Sequence, residues 1–216
     1  MTVLSKICGI STLSAAQAAV KSGADLLGFI HFAKSPRHLT QPSMTQLMQA
    51  IRCHGMTTPL TAVVVNPDDE LLTALTASAQ PDLIQLHGHE TPDRVAEVRS
   101  RFGLPVIKAI SVETADDIAA AKLYDEVADY LLFDAKTPKD AVLPGGMGLS
   151  FDWPLMRAWT GVKPWLLAGG LTPDNVAEAL RLSGAPGVDV SSGVESTPGV
   201  KDERLISGFL KAVKSL

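Results

Sequence analysis

A chain of 216 residues with 19 basic and 23 acidic side chains carries a formal charge of −4, and 46% of it is hydrophobic, enough to bury one large core. No block of Lys and Arg offers a nucleic-acid surface, and no stretch approaches the roughly 20 apolar residues of a membrane span. Two cysteines, Cys8 and Cys53, cannot build a disulfide framework, so the expectation is a reduced cytoplasmic protein, with no nucleic-acid or membrane partner, that handles a small molecule.

Short apolar, β-branched runs alternate with Ala-rich amphipathic segments along the whole chain. Residues 3–8 read as a first strand that ends on Cys8, before Gly9. A helix over 14–22 follows, then a strand over 26–31 ending on His31. The next loop holds Ser35-Pro36-Arg37, and a helix spans 43–53. A nearly all-apolar strand over 60–65 suits a parallel sheet covered on both faces. Asn66-Pro67 precedes a helix over 69–78. The strand over 83–87 puts Gln85 and His87 on one face, because side chains alternate along a strand. Thr91-Pro92 starts a helix over 93–102, with a capping hydroxyl before a proline at the first helical position.

The second half repeats the form. A strand over 106–110 and a helix over 115–123 lead to a strand over 130–134, which ends on Asp134. The longest irregular stretch, 135–150, comes next, and a loop of that length in a compact domain usually serves function. A helix over 154–160, a strand over 165–168, a helix opening on Thr172-Pro173 over 173–182, a strand over 188–191 and a helix over 202–213 complete the chain. Asp152 and Asp174 sit where capping would explain them. Eight strand–helix units in one chain predict a single (β/α)8 barrel domain over residues 1–216. A doubly wound sheet is the alternative, but no Gly-rich dinucleotide fingerprint follows the first strand.

Barrels of this kind place their chemistry at the C-terminal ends of the strands. That rule collects Cys8, His31, His87, Asp134, Asp189 and Ser191 at one rim. Taken singly, most have bland explanations. Cys8 and Cys53 would serve as small buried hydrophobes, His31 and His87 as hydrogen-bonded structural groups, and Arg37 as a solvated loop residue. Asp134 is harder to dismiss, because it ends the apolar run Leu131-Leu132-Phe133, where a carboxylate needs a partner. Arg37 is also placed to grip a carboxylate with two parallel hydrogen bonds. The seventh and eighth strands finish in Gly169-Gly170 and in Ser191-Ser192-Gly193. Small residues let backbone N–H groups approach an anion, and the loops after these two strands commonly hold a phosphate. Neither loop holds a lysine or arginine, so backbone donors would carry that binding.

Lys6-Ile7-Cys8-Gly9-Ile10, Ser35-Pro36-Arg37, Gln85-Leu86-His87-Gly88, Phe133-Asp134, 145–153 (GGMGLSFDW), 167–171 (LAGGL) and 189–195 (DVSSGVE) together resemble the phosphoribosylanthranilate isomerase family of tryptophan biosynthesis. Met147 departs from the small polar residue expected in that glycine loop. The resemblance implies an Amadori rearrangement, converting N-(5-phosphoribosyl)anthranilate to 1-(o-carboxyphenylamino)-1-deoxyribulose 5-phosphate without metal or organic cofactor. It implies Cys8 as general base, Asp134 as general acid and Arg37 as partner of the anthranilate carboxylate, with Asp189 in support and Gln85 and His87 in the substrate site. Gly169, Gly170, Ser191, Ser192 and Gly193 would hold the phosphate. A monomer or a homodimer is expected. Two other readings use the same residues. A metal-dependent sugar-phosphate epimerase would recruit His31, His87, Asp134 and Asp189 as ligands, though no close His-x-His spacing supports it. A noncatalytic phosphosugar-binding protein would have no need of Cys8, Asp134 and Arg37 together.

Overall fold

The computed structural model describes residues 3–136 and 148–216. Met147 and most of the glycine loop before it lie outside that range. Eight parallel strands close in sequential order into a barrel. They are β1 (Leu4–Ile7), β2 (Leu26–His31), β3 (Leu60–Val64), β4 (Leu83–Leu86), β5 (Val106–Val112), β6 (Tyr130–Ala135), β7 (Trp165–Leu167) and β8 (Gly187–Val190). The helices are α1 (Leu13–Ser22), α2 (Gln41–Cys53), α3 (Asp69–Ser78), α4 (Pro92–Phe102), α5 (Ala115–Ala120), α6 (Val176–Ser183) and α7 (Glu203–Lys214). The expected barrel is present, with strand boundaries within two residues of expectation.

Local chemistry explains most helix starts. Side chains of Thr12, Thr40, Asp68, Thr91 and Thr114 each accept a backbone N–H in the first turn of the helix that follows, relieving donors that have no intrahelical partner. Two starts differ from expectation. Asp68, not Asn66, caps α3; Asn66 has φ 46° and its Oδ1 accepts the His89 N–H at 2.7 Å. Thr172 does not cap α6 either. Its own N–H goes to Asn175 Oδ1 at 2.8 Å, and Asn175 donates back to the Gly170 carbonyl at 2.9 Å. That turn delays the helix to Val176 and ties its entry to the end of β7. Asp152 makes no side-chain cap, and Asp174 is exposed.

Two elements depart from the eightfold plan. The segment expected as a helix over 154–160 is a 3-10 helix, Trp153–Ala158, too short to repay α-helix nucleation. After β8 comes a 3-10 turn, Ser192–Val194, then a hairpin of β9 (Glu195–Thr197) and β10 (Val200–Lys201). Its Thr197-Pro198-Gly199-Val200 turn was the available signal.

The barrel has two apolar layers. One lies between strands and helices and contains Phe29, Phe133, Phe209, Met44 and Met48. The other fills the barrel itself with Leu26, Leu83, Ile107, Ala109, Leu132, Leu166 and Ala168. Cys53 belongs to neither; it is exposed at the end of α2, contrary to the buried filler expected. Towards the C-terminal mouth the inward positions become polar: Lys6, Gln85, Asp134 and Asp189 are all buried. Strand alternation puts Lys6 and Cys8 on the face of β1 that points inward, and register pairs Lys6 with Asp189.

Candidate active site

A cavity at the C-terminal mouth has an empty volume of about 790 Å³, open solvent included, and is lined by Cys8, Arg37, His87, Asp134, Asp189, Ser191 and Ser192 among others. Gly169 and Gly170 line it too, with apolar walls from Ile30, Val63, Val65, Ala168 and Leu171. Apolar walls with a few convergent polar groups are what a small-molecule site needs. Gln85 and Gly193 stand outside the lining.

Cys8 is 4% exposed, and its N–H bonds the Val190 carbonyl at 2.8 Å. Gly28, its neighbour on β2, is a glycine for a spatial reason. A Cβ there would lie 2.8 Å from the Cys8 sulfur and 2.9 Å from Lys6 Nζ. The thiol and the ammonium therefore share one pocket. Burial pushes the Cys8 thiol up from its ordinary value, Lys6 pulls against that, Asp189 adds to it, and Lys201 also pulls it down. Lys6 is wholly buried and donates to Asp189 Oδ1 at 2.8 Å. Burial alone would lower the ammonium, but Asp189 and Cys8 leave it raised on balance.

Gly9, at φ +75°, makes room for Arg37 rather than for ligand. A Cβ there would lie 2.7 Å from Arg37 Cδ and 3.0 Å from Ser191 Oγ. Arg37 is buried and already engaged, with Nε and Nη2 donating to the two oxygens of Glu195 at 2.7 and 2.8 Å. The anchoring carboxylate comes from β9, 158 residues away in sequence, and only the fold reveals the pair.

Across the mouth, Asp134 Oδ1 accepts the Ala135 N–H at 2.9 Å, and Oδ2 lies 3.4 Å from His87 Nε2. Gln85 Nε2 donates to His87 Nδ1 at 2.9 Å. Gln85 thus orients the histidine from inside the barrel, and the histidine faces the carboxyl. His31 turns elsewhere, its Nδ1 2.8 Å from the Leu39 carbonyl. No three His, Cys, Asp or Glu side chains among the described residues are gathered closely enough to hold a metal ion, so the four candidate ligands do not form one centre.

The glycines after β7 have φ of +87° and +62°. A Cβ on Gly169 would lie 2.8 Å from the Ala135 backbone nitrogen, and one on Gly170 would lie 3.1 Å from the Gly148 carbonyl. Tight packing therefore explains both, alongside any anion they admit. At Gly193 a Cβ would collide with the Leu171 carbonyl; this glycine locks the two loops together. Neither loop holds a lysine or arginine of its own, but a cation reaches the second from the hairpin beyond it. Lys201, from β10, donates to the Ser191 carbonyl at 2.9 Å and to its hydroxyl oxygen at 3.2 Å.

Residues 5–212 match the family model described as N-(5'phosphoribosyl)anthranilate (PRA) isomerase. The chain belongs to the phosphoribosylanthranilate isomerase family. It is 54% identical over 210 residues to N-(5'-phosphoribosyl)anthranilate isomerase of Paracoccus denitrificans (strain Pd 1222), covering 97% of this chain and 96% of that one. A relative of the same name from Paramagnetospirillum magneticum (strain ATCC 700264 / AMB-1) is 50% identical over 214 residues, 99% of this chain and 98% of the other. The crystal structure of phosphoribosyl anthranilate isomerase from Thermotoga maritima superposes with a TM-score of 0.85 at 33% identity, covering 99% of this chain and 100% of that one. The fold shared with that structure is the closed barrel of eight sequential parallel strands built above. Among the described residues no helix is long and apolar enough to cross a membrane.

Proposed function

We propose that this phosphoribosylanthranilate isomerase of tryptophan biosynthesis acts by an Amadori rearrangement in which Cys8 is the general base and Asp134 the general acid. The observation that carries the reading is the meeting of Cys8 from β1, Asp134 from β6 and Arg37 from the β2 loop around one cavity. A thiol and a carboxyl lining one mouth suit a reaction in which one group protonates an oxygen and the other removes a proton from a nearby carbon.

The sequence of events follows from the chemistry. Asp134 delivers a proton to the furanose oxygen as the C1′–O bond breaks, and the anilino nitrogen lone pair forms the C=N bond of a Schiff base. Cys8, as thiolate, removes the C2′ proton, and the electron pair moves towards nitrogen to give an enolamine. Gain of a proton at C1′ and loss of the O2′ proton yield the aminoketose. Arg37 holds the aromatic carboxylate by charged hydrogen bonds. The phosphate lies between the ends of β7 and β8, against backbone N–H groups around Gly170 and Ser192 and the hydroxyls of Ser191 and Ser192. Asp189 holds Lys6 beside the thiol, and Gln85 and His87 orient Asp134.

One related structure contains reduced 1-(o-carboxyphenylamino)-1-deoxyribulose 5-phosphate; that enzyme is 32% identical, with a TM-score of 0.82. The test is turnover of N-(5'-phosphoribosyl)anthranilate, followed by loss of its anthranilate-type fluorescence. Purified enzyme is expected to consume it in the absence of added metal or cofactor. Binding without turnover would instead support a noncatalytic phosphosugar-binding protein.

A further inference from the structure

The charges behind Arg37 do not balance. Glu195 accepts Arg37 at both oxygens and also accepts Lys201 Nζ, at 2.6 Å on Oε1. The Gly199 N–H completes its set at 3.1 Å on Oε2. All three side chains are nearly dry, exposed by 5% for Arg37, 3% for Glu195 and 1% for Lys201. Two buried cations therefore share one buried carboxylate. Nearby, Lys6 and Asp189 form a matched pair. The remaining carboxyl at the mouth, Asp134, lies one residue before the end of β6 and faces His87.

Lys201 cannot reach a substrate itself. Its three protons are committed to Glu195, to the Ser191 carbonyl and to the Ser191 hydroxyl. Arg37 is different, because it lines the cavity and Nη1 donates to no described residue. A surplus positive charge in a low-dielectric setting is costly unless an anion arrives. Of the two anionic groups of the substrate, the phosphate lies on the Ser191 side of the mouth, and the aromatic carboxylate is the one that meets the open donor of Arg37.

We infer that Lys201 is a specificity-determining positioning residue: by sharing Glu195 with Arg37 it leaves one buried positive charge that selects a ligand bearing a carboxylate on its aromatic ring. If Glu195 answered Arg37 alone, the pair would be neutral and the incentive for an incoming carboxylate smaller. The inference rests on the functional reading above, and it adds a residue outside the cavity lining and outside the sequence motifs.

The experiment measures binding of two stable ligands by fluorescence titration. One is reduced 1-(o-carboxyphenylamino)-1-deoxyribulose 5-phosphate; the other is its phenylamino counterpart without the carboxylate. The variant is Lys201→Gln, which keeps hydrogen-bond donors and removes the charge. The expected result is a roughly tenfold fall in the preference for the carboxylate ligand over the other, the order given by one charge in a partly buried site, because any loss through the phosphate near Ser191 is common to both ligands; Lys201→Arg should stay close to wild type. Equal loss for both ligands would mean a merely structural lysine and overturn the inference, as would an unchanged preference. Should Lys201→Gln not fold, the Lys201→Gln/Glu195→Gln double variant removes both members of the pair and leaves Arg37 as the surplus charge. It should keep the carboxylate preference; loss of that preference overturns the charge count. Wild type binding neither ligand would be a separate failure, that of the functional reading itself, and the inference would fall with it.

Discussion

Cys8, the proposed base, is held under opposing influences. Burial raises its pKa, and Lys6 in the same pocket opposes the rise. With the thiol pKa above its ordinary value, thiolate is a minor form of the free enzyme at neutral pH and grows as pH climbs through the alkaline range. Iodoacetamide should therefore label exposed Cys53 first, with Cys8 labelling accelerating above the ordinary thiol pKa. Rapid labelling of Cys8 at pH 7 in free enzyme would contradict the balance described. Cys8→Ser should lower kcat by about 10²–10⁴-fold while leaving the affinity for reduced product near wild type, because a hydroxyl is a far weaker acid of similar shape. Cys53→Ser is the control and should stay active. Asp134→Asn should also lose turnover, since an amide cannot deliver the proton that opens the ring, and should still bind the reduced product. A wild-type rate in either catalytic variant would remove that residue from its role.

At the scale of elements, the loops that carry the site are fastened by buried charge. Glu90, after β4, accepts the N–H groups of Asn66 and Gly88 and the Lys108 ammonium at 2.8 Å. It thereby ties the β3 loop, the β4 loop and β5 together beneath His87. Burial alone would raise the Glu90 carboxyl, but Lys108 and the backbone N–H groups of Glu90 and Asn66 hold it below the ordinary carboxylate range. The stabilisation is thus complete above the unfolded carboxylate pKa and disappears as pH falls through the lower, folded value. Glu90→Gln would leave Lys108 buried without its counter-charge and should cost on the order of 3 kcal/mol. Urea unfolding at pH 7 measures this, and the difference from wild type should shrink as the solution is acidified. An unchanged denaturation midpoint at pH 7 would mean the clamp contributes nothing.

For the whole molecule, closure decides whether the site exists. β1 must meet β8 to join Lys6 to Asp189 and to seat Cys8 beside Val190. The last helix, α7, covers that seam and packs beside α1, burying Ile206, Phe209, Leu210 and Val213. Phe209 is fully buried, so Phe209→Ala should cost about 3–5 kcal/mol through lost transfer energy and the cavity left behind. At roughly 2–4 °C per kcal/mol for a chain of this size, thermal melting should show a drop of about 10 °C. Activity should disappear together with the fold rather than before it, because the substitution touches no lining residue.

The sequence alone determined the architecture. Apolar runs of strand length and amphipathic runs of helix length have periods that are readable along the chain, and the Thr91-Pro92 pair marks a helix start by local chemistry. It also determined which strand ends carry Cys8, Asp134 and Asp189, since alternation sets which side chains share a face. Tertiary structure alone decided the partners. Lys6 meets Asp189 across 183 residues, and Arg37 meets Glu195 across 158; no periodicity encodes such distances, because closure of the barrel brings the chain ends together. It decided, too, that Lys201 reaches Ser191 from a hairpin whose strands are only three and two residues long, too short to leave a pattern. The same holds for the glycines. Gly9 and Gly28 look interchangeable with other small residues in sequence, and only the neighbours packed against them, Arg37 for one and Cys8 with Lys6 for the other, show why a methyl group has no room.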